Sequence, residues 1–427
     1  MNQRSAERSS FVRDIPFARV DCSGRELEYV GQVLESGWLT TASKSKELEE
    51  KFAELIGCKH AIAVNSCTSA LHLALDACNI GTGDKVLLPS LTFTATAEVV
   101  RYMGADPVLM DVDKTTGCIS GELVAEALER HSDIKAVLAV HYGGYPIEMT
   151  NSLGSGLADI CNAHGVHLVN DSAHALPAHR GGVYIGYEGD ITCFSFYANK
   201  TMTTGEGGML TTNSDDIAKR ARLMRLHGID RDAWDRYTKQ SGAWEYDVTA
   251  PGFKYNLPDL NAAVGLAQFE RLEDMRRKRQ NCAAFYQNEL ADIGAIRLFE
   301  SDVAPEEHAW HLFPIVVDPE GTFSRNELIN FLAENGIGTS VHYKPIHRLK
   351  YYRERYSLNP RDYPVTEEIW QGCVSLPIYN LLEEKDLRYI SDSIHLFFQE
   401  CELPQAQHNI RERPTSMEAH AIPNTTS

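Results

Sequence analysis

Compact apolar runs alternate with stretches of helical periodicity through the first half of the chain. HAIAV (60–64), DKVLLP (84–89), DPVLMDVD (106–113), IKAVLAVH (134–141) and GVHLVND (165–171) are rich in Val, Ile and Leu. That composition predicts strands buried on both faces. Between them, SALHLALDACN (69–79) and SGELVAEALERH (120–131) carry helical spacing. Strand and helix in alternation predict an α/β layer built on a mostly parallel sheet. Ligands of such sheets collect beyond the carboxyl ends of the strands, so the residues that follow each run are the candidates for chemistry.

A long helical pattern at AAVGLAQFERLEDMRRKRQ (262–280) leads into a second region. There HLFPIVV (311–317) predicts a strand, while ELINFLAENG (327–336) and DLRYISDSIHLFF (386–398) predict helices, enough for a small α+β domain. Residues 229–251 carry Trp234, Tyr237, Trp244 and Tyr246 among polar neighbours, which predicts an ordered excursion or interface loop rather than a linker. From Pro404 to Ser427 there is no apolar periodicity, and a disordered tail is expected. No period of 20–50 residues repeats, which excludes solenoids and propellers. With 427 residues, the chain exceeds what one hydrophobic core organises. The expected division is an N-terminal arm at 1–14, a large domain at 15–280, a small C-terminal domain at 281–403 and the tail at 404–427.

The formal net charge is −18, which argues against nucleic acid or an anionic membrane as partner, because both demand a broad basic face. A single phosphate in a local pocket remains compatible with it. The first twenty residues contain no apolar core of a signal peptide, and no apolar run has the length of a membrane helix. The ten cysteines are scattered, with no CxxC pair, which predicts reduced core thiols, a cytoplasmic address and no structural zinc.

Four post-strand positions carry candidate chemistry. Lys200 lies between an apolar strand and TMTTGEGG, a setting that predicts partial burial; desolvation frees a lysine amine for Schiff-base chemistry. A lone lysine is more often a solvated surface charge. Asp171 directly follows GVHLVN and caps a helix, holds a metal or pairs with a cationic ring, the cap being the commonest of the three. NSCTSAL (65–71) places Ser66, Cys67 and Thr68 at a helix start, where free N–H groups bind anions. An ordinary cap explains Ser66 or Thr68 equally well. Ser195 offers a further hydroxyl to the same phosphate, and Phe93, in PSLTFTATA (89–97), is placed to stack on a flat ring, though a lone Phe is more often core. A phosphate cradle, a stacking aromatic, a ring-nitrogen carboxylate and a Schiff-base lysine together make up what a pyridoxal-phosphate enzyme requires.

Longer stretches carry a resemblance. IPFAR (15–19), SGWLTT (36–41), NSCTSALHLAL (65–75), PSLTFTATA, VHYGGYPIEM (140–149), NDSAHAL (170–176), SFYANKTMTTGEGGM (195–209), RLHGI (225–229), GFKYNLPDLNAAVGLAQ (252–268), HYKPIH (342–347) and SLPIYN (375–380) resemble the DegT/DnrJ/EryC1/StrS sugar aminotransferase family. The resemblance implies a fold-type I pyridoxal-phosphate-dependent aminotransferase. Its large domain is built on a mostly parallel seven-stranded sheet and is joined by a smaller C-terminal α/β domain. Lys200 matches the Schiff-base lysine and Asp171 the carboxylate facing the pyridine nitrogen. His174 stands where many members have Gln, beside the ring hydroxyl. Cys67, Thr68 and Ser195 match phosphate contacts, and Phe93 the stacked aromatic. Lys254 and Asn256 occupy the key places of a GxNYR motif that reaches the phosphate of a neighbouring subunit. Cys67 and Ala42 replace glycines, with little effect expected.

The resemblance further implies a homodimer with shared active sites, L-glutamate as amino donor and a nucleotide-linked keto-deoxysugar as acceptor. Alternatives within the family are a cyclitol or other carbocyclic ketone as acceptor, and a pyridoxamine-phosphate-dependent sugar 3-dehydratase, whose mark is a His in place of the lysine. A homologue that has lost its chemistry would show a broken constellation. Other signals read blandly: GEGG (205–208) lacks a dinucleotide or ATP context, DVD (111–113) is a pair of solvated strand-end acids, and RRKR (276–279) is a solvated helix face. His342 and His347 belong to a substrate-side segment in the resemblance and lack partners for zinc; Arg19 and SGWLTT are candidates for substrate phosphates.

Overall fold

The computed structural model describes residues 13–230 and 246–402. Trp234, Tyr237 and Trp244 of the aromatic excursion, the tail at 404–427 and arm residues 1–12 lie outside the described residues.

The strands are β1 (His60–Val64), β2 (Lys85–Pro89), β3 (Asp106–Met110), β4 (Ile134–Val140), β5 (His167–Asp171), β6 (His179–Arg180), β7 (Val183–Tyr184), β8 (Ile191–Ser195), β9 (Gly208–Thr212), β10 (Ile296–Leu298), β11 (Phe313–Val317) and β12 (Cys373–Leu376). Seven of them form the main sheet in the order β1-β9-β8-β5-β4-β2-β3, with β9 antiparallel to both neighbours and the other pairings parallel. All five apolar runs are strands of this sheet. Alternate residues feed two cores: Leu138, Val169 and Leu210 face the helix Cys67–Ala77, while Val137, Ala139 and Leu168 face the helices Gly121–Arg130 and Leu157–His164. Both faces are covered, which is why the middles of these strands are aliphatic and their polar residues gather toward the ends.

The sheet places the ends of β1, β2, β4, β5 and β8 along one edge. β3 stops at Met110, short of the acids that follow it. Asp111 accepts the N–H groups of Val365 and Thr366 and the Thr366 hydroxyl, and Asp113 accepts those of Thr115 and Thr116. The DVD acids are therefore structural caps rather than solvated charges. Among the described residues, no cluster of His, Cys, Asp and Glu is fit to hold a metal ion. Of the nine cysteines whose side chains are described, eight are buried and all are unpaired. No described helix is long and apolar enough to cross a membrane.

The helical pattern at 262–280 divides into two helices, Asp259–Phe269 and Leu272–Leu290. At the break, Arg271 reaches the backbone and carboxylate of Asp21 and the carboxylate of Glu26, so a distant segment fixes the bend. The RRKR expectation needs correction. Arg277 is exposed and Lys278 half-buried, but Arg276 and Arg279, three apart and hence on one helix face, are buried. Arg276 donates to the Glu306 carbonyl, and Arg279 to those of His311 and Ile378.

In the C-terminal region the antiparallel sheet β10-β11-β12 is covered by the helices Arg325–Glu334 and Glu384–Glu402, through Ile315, Val317, Leu328, Leu332, Ile390 and Ile394. The chain then returns to the main sheet. The Ile346 N–H donates to the Ser90 carbonyl just past β2, and His347 bonds the Ser90 hydroxyl at 2.6 Å and Glu367 at 2.5 Å. His347, with both ring nitrogens engaged and no exposure, is a strut rather than a substrate contact.

Candidate active site

A cavity of about 500 Å³ opens at the carboxyl edge of the main sheet. Ser66, Cys67, Thr68, Phe93, Asp171, His174, Ser195 and Lys200 all line it, although they come from four separate post-strand segments. Lys254 and Asn256 do not. Lys254 is exposed; its amine donates to Asn256 Oδ1 at 2.6 Å, and Asn256 donates to the Thr41 hydroxyl at 2.6 Å.

One end of the cavity suits an anion. The Ser66 side chain caps the helix Cys67–Ala77 by accepting the Ser69 N–H at 3.1 Å. Cys67 and Thr68, whose N–H groups are the orphan donors of this helix start, both line the cavity. Gly208, on β9, passes directly beneath: a Cβ there would meet Cys67 N at 2.7 Å and the Phe194 carbonyl at 2.8 Å, so glycine is what lets the strand and the helix start approach. Gly207 and Gly208 of the run at 205–208 thus serve packing. Ser195 Oγ accepts the Tyr197 N–H at 3.3 Å and adds a hydroxyl to the lining. The Cys67 thiol turns away from the anion end, toward Asp171 at 3.9 Å and the Cys193 carbonyl at 3.6 Å.

Asp171 ends β5 and is almost wholly buried. Its Oδ2 accepts the Thr96 hydroxyl at 2.8 Å and its Oδ1 the Ala173 N–H at 3.2 Å. Burial pushes the carboxyl up, against the downward pull of Thr96, Ala173 and the Lys200 charge. A buried carboxylate so placed gains from a cation in the cavity. Thr96 was not singled out by the sequence, yet its place on the first turn of the helix Thr94–Tyr102 aims it at Asp171, with Thr92 bonded behind it at 2.8 Å. Thr96→Val keeps the shape and removes this donor. It is expected to lower kcat about tenfold at saturating substrates, since hydrogen bonds to charged groups contribute about 1.5–3 kcal/mol; unchanged steady-state rates would refute the role.

Lys200 sits past the end of β8 with part of its surface open to the cavity and the rest walled by protein. Burial lowers its amine from 10.5 to about 8, against the upward pull of Cys67 and Asp171. Its Nζ lies 3.3 Å from His311 Nε2. His174 accepts the Gly143 N–H at Nδ1, so its Nε2 carries the hydrogen and donates to Tyr343 Oη at 2.8 Å. The Tyr343 hydroxyl hydrogen is thereby left for a bound group. Tyr343 and His342 arrive on the segment that returns from the C-terminal region; Phe93, more than half exposed at the cavity mouth, lies 5.8 Å from the Tyr343 ring. His342 bonds Ser375 and is held near a pKa of about 4 by burial, then by Lys200. HYKPIH was the only sequence signal for Tyr343, and nothing in the sequence marked His311.

These groups fit pyridoxal phosphate: free N–H groups for a phosphate, a buried carboxylate short of a cation for a protonated ring nitrogen, and a desolvated lysine amine for the aldehyde.

Comparison with known proteins agrees. The model of the DegT/DnrJ/EryC1/StrS aminotransferase family matches residues 21–395. The spore coat polysaccharide biosynthesis protein SpsC of Bacillus subtilis is 39% identical over 383 residues, covering 89% of this chain and 96% of SpsC. Spr1654 from Streptococcus pneumoniae, in its PMP form, superposes with a TM-score of 0.81 at 29% identity over 91% of this chain and 100% of that one. Its PLP form gives 0.80 at 28% identity, over 91% of this chain and 99% of that one. PseC from Helicobacter pylori, an aminotransferase involved in the biosynthesis of pseudoaminic acid, gives 0.80 at 26% identity over 91% of this chain and 100% of PseC. The matched span runs through every segment that walls the cavity, and the chain belongs to the DegT/DnrJ/EryC1/StrS family of sugar aminotransferases, with pyridoxal phosphate as its cofactor.

Proposed function

We propose that the chain transfers an amino group from L-glutamate to the keto carbon of a nucleotide-linked keto-deoxysugar, in the making of an amino sugar. The observation that carries this reading is the desolvated Lys200 amine in a cavity that also holds the buried Asp171 carboxylate. Pyridoxal phosphate, when bound, supplies the electron sink and carries the amino group from donor to acceptor. Lys200 would tether it and, once displaced, its amine would be the group that takes up and gives back the proton moved in the transfer. Asp171 keeps the ring nitrogen protonated. The Cys67 and Thr68 N–H groups and Ser195 would hold the phosphate, while Phe93 and His174 would pack beside the ring.

Exposed Phe93 and Tyr197 at the mouth leave room for a bulky acceptor, which supports the nucleotide-linked sugar. Lys254 and Asn256 reach a phosphate in a second copy of the chain, which makes the enzyme a homodimer; Lys254 is exposed and lies outside its own cavity. Residues 15–280 form the cofactor-binding domain and 281–403 the smaller one. Unpaired, buried thiols support a reducing, cytoplasmic address.

The purified protein is expected to show a visible absorbance band that bleaches with L-glutamate and returns with a keto-deoxysugar linked to a nucleotide. Return of the band only with a free carbocyclic ketone would overturn the nucleotide-sugar acceptor. Bleaching by a different amino acid alone would overturn the donor, and no band after adding pyridoxal phosphate would overturn the reading as a whole.

A further inference from the structure

His311 stands behind Lys200 and has no place in the chemistry described so far. It enters from the C-terminal region, two residues before β11, whereas Lys200 comes from the main sheet. The imidazole is 5% exposed and does not line the cavity, so substrate does not reach it. Among the described residues, its one polar side-chain contact is Nε2 with Lys200 Nζ, at 3.3 Å, and its buried Nδ1 has no partner.

The residue is held from behind. Arg279, itself buried, donates through Nη1 to the His311 carbonyl at 3.3 Å and to that of Ile378 at 2.9 Å. The groups facing the ring are cations or potential cations from every side: Lys200 past β8, His174 past β5, Arg279 on the helix Leu272–Leu290, and His342 on the returning segment. The His174 ring centroid is 4.5 Å away. Burial first, and then these charges, keep the imidazole from protonating. A neutral imidazole offers one lone pair, whereas a lysine ammonium has three hydrogens to donate and accepts none. The acids near Lys200, Asp171 and Cys67, lie on the cofactor side of the amine and leave this position to His311.

We propose that His311 is the positioning residue that receives the Lys200 amine each time it is released, accepting a hydrogen bond at Nε2 and holding Nζ within the site while it carries a proton. This rests on the aminotransferase reading, in which the lysine leaves and regains its tether in every half-reaction. While the amine rests against His311 the proton stays on Lys200 and His311 remains neutral, so no further acid or base is needed. An ammonium without this acceptor would be buried with one donor unmet, and protonated Lys200 would be disfavoured at the point where it must return its proton.

The test uses two variants. His311→Phe keeps a ring and removes the acceptor, and His311→Gln places Oε1 near the position of Nε2. In cofactor-free protein, the Lys200 amine is titrated by reductive methylation with formaldehyde and cyanoborohydride, with the peptide quantified by mass spectrometry. His311→Phe is expected to lower the midpoint by about one unit, equivalent to about 1.4 kcal/mol, while His311→Gln stays close to the wild type. In the holoenzyme, kcat for bleaching by L-glutamate is expected to fall about tenfold in His311→Phe with KM unchanged, and to recover in His311→Gln. Equal midpoints in all three proteins would overturn the proposal, as would equal losses in the two variants, which would mark a packing role. Should His311→Phe fail to fold, the ¹⁵N resonance of His311 Nε2 in the cofactor-free wild type is compared with Lys200→Ala. A shift supports the contact and an unchanged signal overturns it. Failure of the wild type to take up pyridoxal phosphate would sink the aminotransferase reading instead, while the methylation midpoints still report on the contact.

Discussion

Lys200→Ala is expected to abolish turnover while leaving the fold intact or more stable. Positioned acid–base catalysis alone contributes about 100- to 10,000-fold, and the same side chain also supplies the tether, so kcat should fall by at least about 10,000-fold. Pyridoxal phosphate should still bind through the anion end and Asp171, but without the visible band of the tethered form. Stability should move the other way. The lysine has an ordinary value of 10.5, lowered by burial to about 8, so between those values the unfolded chain binds more protons than the folded one. Wild-type stability therefore rises through this window, and the advantage of Lys200→Ala, largest below it, shrinks as pH climbs from about 8 to 10.5. Thermal melts of the two cofactor-free proteins at several pH values check this. An alanine variant that is less stable at neutral pH would contradict the burial cost assigned to Lys200.

Asp171→Asn should be the next most damaging change. The amide keeps the size but not the charge, so the ring nitrogen loses the group that holds its proton. Deleting one pre-placed electrostatic partner typically costs about 100- to 1,000-fold in kcat. Thr96 and the Ala173 N–H both donate to this side chain, and an amide satisfies only one of them with its oxygen. The expected signature is a large loss in kcat with the band retained, because Lys200 still forms the tether. Asp171→Glu should recover little, since the added methylene has no space among Thr96, Cys67 and Ala173. Wild-type rates in Asp171→Asn, measured by stopped-flow bleaching with L-glutamate, would remove Asp171 from the mechanism.

The parallel strands were legible because burial on both faces gives them short aliphatic stretches, and the rule that ligands gather at their carboxyl ends then pointed to Ser66, Phe93, Asp171 and Lys200. The motif blocks turned those candidates into a family. What escaped the sequence depended on contacts between distant segments. Nothing in GMLTT distinguishes an antiparallel strand from a parallel one, so the reversal at β9 was invisible. The break between the helices Asp259–Phe269 and Leu272–Leu290 depends on Asp21 and Glu26, far away in the chain. Arg276 and Arg279 were misjudged because a charge run was read by composition, when their three-residue spacing already placed them on one face. Tyr343 and His311 follow no parallel strand, so the rule that found the rest of the site did not extend to them.

The sheet order also bears on how the chain is made. β1 lies at the edge of the main sheet against β9, its last residue also bridging Asn256, and the cavity is completed by His342 and Tyr343 from the returning segment. A nascent chain therefore carries its first strand unpaired until Gly208–Thr212 has been synthesised, and it lacks a closed cofactor site until much later still. Sheets assembled from such non-local pairings fold slowly, and their waiting strands are prone to aggregate. The wall that His342 and Tyr343 supply is thus the last part of the cofactor site to be made, long after the helix start at Cys67, Asp171 and Lys200 have left the ribosome.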